Sequence, residues 1–181
     1  MDTELVRRAQ GGDREAFAAL VPPAVERLLG VAFRILGDAD LADEATQVAV
    51  IAAWRKLPSL REPDRFEPWL YRLVINACRD EARRRPWEVR APVPLSLAVD
   101  TTDPEGQVDD RDRLERAFRE LSIDHRAVIV LHHHVGLPLV EVARVIGIPT
   151  GTTRSRLHYA LRAMRAALDA DDALPKSQVT A

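Results

Sequence analysis

Residues 87–109 interrupt the chain with a stretch that has no helical period, and this break constrains the fold more than any other feature. It holds Pro92, Pro94, Pro104 and Gly106 among several acids, so it reads as a linker. On both sides of it, apolar residues recur at spacings of three and four, the period of a helix with one buried face. There is no alternating strand pattern and no internal repeat. Charged residues make up 30% of the 181 residues and aromatics only 5%, which suits helices better than a β-sandwich. The expected fold is all-α: an N-terminal four-helix domain over 1–87, a flexible acidic linker over 88–112, a C-terminal helix-turn-helix domain over 113–168, and a tail over 169–181.

The net charge of −2 conceals a segregation. Residues 1–87 carry 14 basic and 14 acidic groups, residues 88–112 carry 2 and 7, and residues 113–168 carry 9 and 4. Neutral, acidic and basic segments imply separate partners. No apolar run approaches the roughly 18 residues of a membrane helix. The acidic N-terminus lacks a signal core, so a cytoplasmic location without membrane insertion is expected. Cys78 is the only cysteine and is expected to act as a small buried apolar residue.

Local punctuation predicts the helix ends. Thr3 starts a short helix that Gly11 and Gly12 end, and Asp13 caps the next. Pro22 and Pro23 are expected to kink or break that second helix, and Gly37 to stop it. Asp40 is expected to cap a third helix, with Leu41, Ala45, Val48, Ala49, Ala52 and Leu57 on its apolar side, ending at Pro58. A polar loop follows over 58–66, and Pro68 sits in the first turn of a fourth helix that runs to Arg85. In the second half, Leu114, Ala117, Phe118 and Leu121 give one stripe, and further helices are expected over about 124–134, 138–146 and 150–168.

The sharpest local motif is the tight turn Gly147, Ile148 and Pro149 between a short helix and a long one, the layout of a helix-turn-helix. On the long helix, Thr153, Leu157, Ala160, Leu161, Met164 and Leu168 form the expected buried stripe. Arg154, His158, Arg162 and Arg165 share another face, and no acid occurs between Glu141 and Asp169. A basic helix with small polar residues at an open N-terminus suits a DNA major groove. A solvated face on an ordinary bundle helix gives the same pattern.

A second basic stripe lies upstream. Arg72, Asn76, Arg79 and Arg83 share one helix face, while Leu70, Leu73, Val74 and Ala77 point elsewhere. Arginines near a helix C-terminus favour the macrodipole in any protein. Asn76 is more specific, because asparagine can bond a base edge while arginines hold phosphates. Phe66, Trp69 and Tyr71 can stack an unpaired base or belong to the core. His132, His133 and His134 are consecutive on a helix and point about 100° apart, so they cannot converge on one metal ion. No zinc-type spacing, phosphate-binding glycine loop or nucleophile elbow occurs.

In chain order, "LADEATQVAVIAAWRKL", "FEPWLYRLVINACRDEARRR" and "ELSIDHRAVIVLHHHVGLPLVEVARVIGIPTGTTRSRLHYALRAMR" resemble the polymerase-binding helix, the minus-ten recognition helix and the minus-thirty-five reader of the sigma-70 family. The resemblance is to its compact two-domain extracytoplasmic-function (ECF) members and covers about residues 5 to 168, with "GTTRSRLHYA" the most specific stretch. It implies sigma region 2 and region 4 domains that bind core RNA polymerase and promoter DNA, an anti-sigma factor as a further partner, and no catalysis, cofactor, metal or small-molecule substrate. By the same resemblance Asp43, Glu44 and Gln47 contact the polymerase clamp. Arg72, Asn76, Arg79 and Arg83, with Phe66 and Trp69, serve the melted minus-ten strand. Gly151, Thr152, Arg154, Ser155, Arg156, His158 and Arg162 serve the minus-thirty-five duplex, with Ser155 and Arg156 on the bases. The acidic linker then lies in the channel where nascent RNA passes.

Some positions depart from the family. Val48 follows Gln47 where an acid is common, Pro138 and Val140 replace a Ser/Thr cap and a glutamate, and Thr153 replaces a valine. Two rivals stay open at this point: a stand-alone helix-turn-helix regulator, and a metalloenzyme built on the His run.

Overall fold

This computed structural model describes residues 2–85 and 107–173, and all of their regular structure is helical. Much of the acidic linker, including Asp100, Asp103 and Glu105, lies outside the described residues.

The N-terminal half contains α1 (Thr3–Gln10), α2 (Arg14–Leu36), α3 (Ala39–Lys56) and α4 (Phe66–Arg84). Asp13 caps α2 by accepting from the Ala16 N–H at 3.0 Å, and Gly37 ends it in the left-handed conformation at φ 75°. That turn leaves a single extended residue before α3, so Asp38 is the cap rather than Asp40; its carboxylate accepts from the Leu41 N–H at 2.9 Å. Two short 3-10 turns, Leu57–Ser59 and Pro63–Arg65, fill the expected loop.

Pro22 and Pro23 do not break α2. The prolines and the residues four positions back, Ala18 and Ala19, are all exposed, so the carbonyls that lose their partners face water. α2 is also long and apolar enough by composition to cross a membrane, which corrects the expectation that no stretch approaches such a span. Its stripe from Ala16 to Leu36 instead packs against α1, α3 and α4 in the core. Leu28, Ile35, Leu36, Leu41 and Ile75 are fully buried there, and so is Cys78, whose thiol burial pushes up to about 12.

The C-terminal half contains α5 (Gln107–Arg119), α6 (Ile123–Ile129) with a π-helical turn (Val130–His134), α7 (Leu139–Ile146) and α8 (Thr150–Ala173). Two boundaries differ from expectation. α5 begins inside the segment read as linker, and α8 extends into the segment read as tail. Arg113 anchors this longer helix by donating to the Leu168 carbonyl at 2.8 Å. Gly147, at φ 79°, ends α7 and makes the tight turn into α8. Thr153, Leu157 and Ala160 are buried as expected, but Leu161 is 44% exposed. The buried arc of α8 is narrower than the apolar set, so Leu161 falls outside it.

The two halves share one continuous core. Ala127, Val128, Leu131, Val142, Val145 and Ile146 join the cluster built by α1 to α4. α6 and α7 lie on α4, and α6 and the π-turn lie on α2. Arg126 sits at this seam and is only 3% exposed. It donates to the carbonyls of Ile35 (2.9 Å), Leu121 (3.1 Å) and Arg119 (2.6 Å). The Ile35 and Arg119 carbonyls lie at the C-terminal ends of α2 and α5, where helical carbonyls lack partners and the helix dipole is negative, and Leu121 lies in the turn after α5.

Candidate nucleic-acid interface

Three faces carry the residues singled out in the sequence. On α3, Gln47 donates to Asp43 at 2.5 Å, and Glu44 pairs with Arg85 at 3.1 Å. Val48 and Ile51 extend the α3 surface and are 45% and 51% exposed, so Val48 does not belong to the buried side. The buried side is a narrow row, Ala42, Ala45, Ala49 and Ala53, which lets neighbouring helices lie close and leaves Val48 outside. Trp54 is partly exposed and packs on Phe17 with ring centres 4.8 Å apart. An apolar patch beside a carboxylate and an amide suits a protein partner better than water.

On α4, Arg72, Asn76 and Arg83 are exposed and Arg79 is half-buried. Arg79 donates to Asn76 Oδ1 at 3.2 Å, and Arg83 pairs with Asp80. Phe66 is a correction: at 3% exposure it belongs to the core, beneath Trp69, and is not presented to a base. Tyr71 is buried as well; burial first and then Glu67 push its hydroxyl up to about 12, and it donates to that carboxylate at 3.2 Å. Trp69 is therefore the aromatic left at the rim. It lines a cleft of about 240 Å³ with Arg61, Arg65 and Arg72, and α7 closes the far side with Arg144 and Val145.

On α8, Gly151, Thr152, Arg154, Ser155, His158 and Arg162 are exposed. The Ser155 hydroxyl donates to the Gly151 carbonyl at 3.0 Å, and buried Thr153 donates to the Pro149 carbonyl at 3.2 Å. That bond explains how a threonine occupies a position where valine is usual: its hydroxyl is satisfied within the helix. Arg156 is not free. It donates to Asp124 Oδ2 at 3.0 Å, while Arg79 donates to Oδ1 of the same carboxylate at 2.9 Å. His125 stacks on Tyr159 with ring centres 5.1 Å apart, and burial, then Arg156, lowers its pKa.

Asp124, Arg65, Glu141 and Arg126 were not singled out in the sequence. Arg65 pairs with Glu141, which also accepts from Arg144 at 2.6 Å. No local pattern marks the Arg79–Asp124, Arg65–Glu141 and Arg126–Ile35 contacts, because in each the partner lies on the other side of the linker. In the His run, His132 bonds the Leu137 carbonyl at 2.8 Å and meets the His133 ring edge-on. Among the described residues, no group of three His, Cys, Asp or Glu is placed to hold a metal ion.

Comparison with known proteins matches two family models to the two halves in chain order. Sigma-70 region 2 matches residues 24–88, and Sigma-70, region 4 matches residues 117–166. The chain is 34% identical to the RNA polymerase sigma-H factor of Pseudomonas aeruginosa, over 92% of this chain and 93% of that one. It is 32% identical to the ECF RNA polymerase sigma factor SigM of Mycobacterium tuberculosis, over 86% of this chain and 78% of that one. Among solved structures, CnrH in complex with the cytosolic domain of CnrY superposes with a TM-score of 0.69 at 27% identity, covering 94% of this chain and 98% of that one. The sigma factor RpoE from Bartonella quintana, solved with the anti-sigma factor NepR, shares the fold with a TM-score of 0.64 at 22% identity, over 86% and 98%.

Proposed function

The chain belongs to the ECF branch of the sigma-70 family and serves promoter-specific transcription initiation, and we propose that its α3 edge docks on core RNA polymerase while α4 and α8 read the two promoter elements. One observation carries the division of labour. Two helices with basic faces, α4 and α8, sit in separate halves, each matched by its own family region. A stand-alone regulator needs neither the α3 patch nor a second reading helix. The protein has no catalytic activity of its own in this reading: polymerase supplies the chemistry, in the cytoplasm. A cytosolic partner domain is bound to CnrH, and an anti-sigma factor of that kind is the proposed regulator here. Run-off transcription with core polymerase tests the reading. A promoter-dependent transcript that needs this protein is expected, and its absence on every ECF-type promoter tried would sink it.

Docking makes a sharper expectation. Reversing Asp43 and Glu44 to lysine should weaken core binding at least tenfold while the melting temperature moves little, since both are at least partly solvent-exposed. Unchanged core affinity in a pull-down titration would move the docking surface elsewhere.

Promoter reading on α4 separates two kinds of contact. A base contact is worth about 1–3 kcal/mol at one position, and a phosphate contact carries no sequence information. Asn76→Ala should therefore change the preferred base at one minus-ten position, whereas Arg79→Ala should weaken all promoters alike. A uniform loss from Asn76→Ala, measured across a promoter library, would place that residue in structure rather than in readout.

A further inference from the structure

Asp124 stands in the first turn of α6 and meets α8 within the C-terminal half. That turn is fixed from its own end. Ser122 caps α6 by accepting from the His125 N–H, and its hydroxyl also bonds His125 Nδ1 at 2.9 Å. Two neighbouring side chains of the turn then meet two residues one turn apart on α8. Asp124 Oδ2 accepts from Arg156 Nη1 at 3.0 Å, and the His125 ring stacks on Tyr159 with centres 5.1 Å apart. The dipole favours an acid at a helix N-terminus in any protein, but that does not call for an arginine from another helix. Arg156 is engaged through one terminal nitrogen, and its Nη2 and Nε have no partner among the described residues.

We propose, on the reading that α8 faces the minus-thirty-five duplex, that Asp124 is a positioning residue: it tethers Arg156 by Nη1 so that the Nη2 and Nε edge of the guanidinium is presented to a guanine in the major groove. Guanine displays two acceptors, N7 and O6, that match such an edge, and arginine to guanine is the commonest specific contact. A long side chain gives up rotamer freedom when it makes that contact, and a tethered arginine has less to lose. The sign of the charge separates this role from plain electrostatics. A carboxylate beside DNA repels phosphates, so on charge alone its removal strengthens binding to every sequence. A tether has the opposite effect at one base pair, where preference falls while non-specific affinity holds or rises. Arg79 of α4 takes the other oxygen of Asp124 at 2.9 Å from 45 residues away, across the linker, and serves as the control.

The test uses the full chain with core polymerase on a promoter library randomised across the minus-thirty-five element. Affinity for a mixed-sequence duplex without a promoter is measured alongside. Asp124→Asn, which keeps side-chain size, should lower the preference for guanine at one position by about two- to tenfold. That position should be the one where Arg156→Ala acts, and affinity for the mixed duplex should be equal or higher. The double variant should match Arg156→Ala alone, since two residues acting as one unit are not additive. Asp124→Asn combined with Arg79→Ala should be additive at the same position. Circular dichroism checks the fold; if Asp124→Asn melts early, Asp124→Ser repeats the comparison with a residue suited to a helix start. An unchanged profile in Asp124→Asn, where Arg156→Ala alters it, would overturn the positioning role, and so would an even change across all sequences. An unchanged profile in Arg156→Ala would instead remove the reading of α8, and the positioning role with it.

Discussion

Arg126→Ala is expected to lower the stability of the C-terminal half by about 3 kcal/mol, a shift in melting temperature on the order of 10–20 °C for a unit of this size. The guanidinium is buried and donates to three carbonyls, those of Ile35, Leu121 and Arg119. A hydrogen bond to a charged group contributes about 1.5–3 kcal/mol, and its removal leaves buried acceptors without partners. Desolvation opposes this gain: burial first, and then Arg119, lowers the Arg126 pKa to about 10, which still leaves it charged at neutral pH. The net effect is therefore smaller than three full bonds. Arg126→Lys should recover only part of the loss, because one ammonium cannot fork to three carbonyls in the plane a guanidinium offers. Arg126→Met tests whether the polar contacts matter at all, since it keeps volume and removes the charge. Thermal unfolding by circular dichroism reads all three. A methionine variant as stable as the wild type would show that packing rather than hydrogen bonding holds the seam.

Arg156→Ala should cost about 1–3 kcal/mol on the cognate minus-thirty-five element and lower discrimination at one base pair, a loss of about fivefold to about 150-fold. Arg156 lies two turns into α8, where base edges come within reach once the helix N-terminus enters the major groove. Arg162 lies further along the helix and should contact backbone. Arg162→Ala is expected to weaken all duplexes evenly and to flatten the salt dependence by about one unit of slope. The comparison belongs in the polymerase complex rather than the free chain, because Arg156 also pairs with Asp124 of α6 in this structure. Competition between matched and mismatched promoters across a salt series separates the two effects. If Arg156→Ala leaves discrimination intact while Arg162→Ala abolishes it, α8 sits rotated in the groove.

Features that depend on a few neighbouring residues were legible in the sequence. Asp13 and Gly37 bracket α2, Gly147 turns α7 into α8, and Thr153 and Leu157 face inward, each as the local pattern predicts. The errors are also physical. Asp40 gave way to Asp38 because the left-handed Gly37 leaves only one residue for the cap. Phe66 and Val48 changed sides because an apolar residue near a helix edge is placed by the neighbours it meets, and periodicity places it only to within one turn. Pro22 and Pro23 were tolerated because the freed carbonyls face solvent.

The all-α architecture, the break between two halves, the turn into α8 and the basic faces of α4 and α8 are all readable along the chain. These follow from period, caps and charge, which act within a few residues along the chain. How the halves meet is set by long-range packing. Asp124 reads in the sequence as an acid in a helix first turn, and Arg126 as one cation among many. Their roles arise when Arg79, from 45 residues away, reaches Asp124, and when Arg126 reaches the carbonyl of Ile35, 91 residues away. Pairings at that separation are selected by the shared core that brings the helices together, and no short-range pattern encodes them.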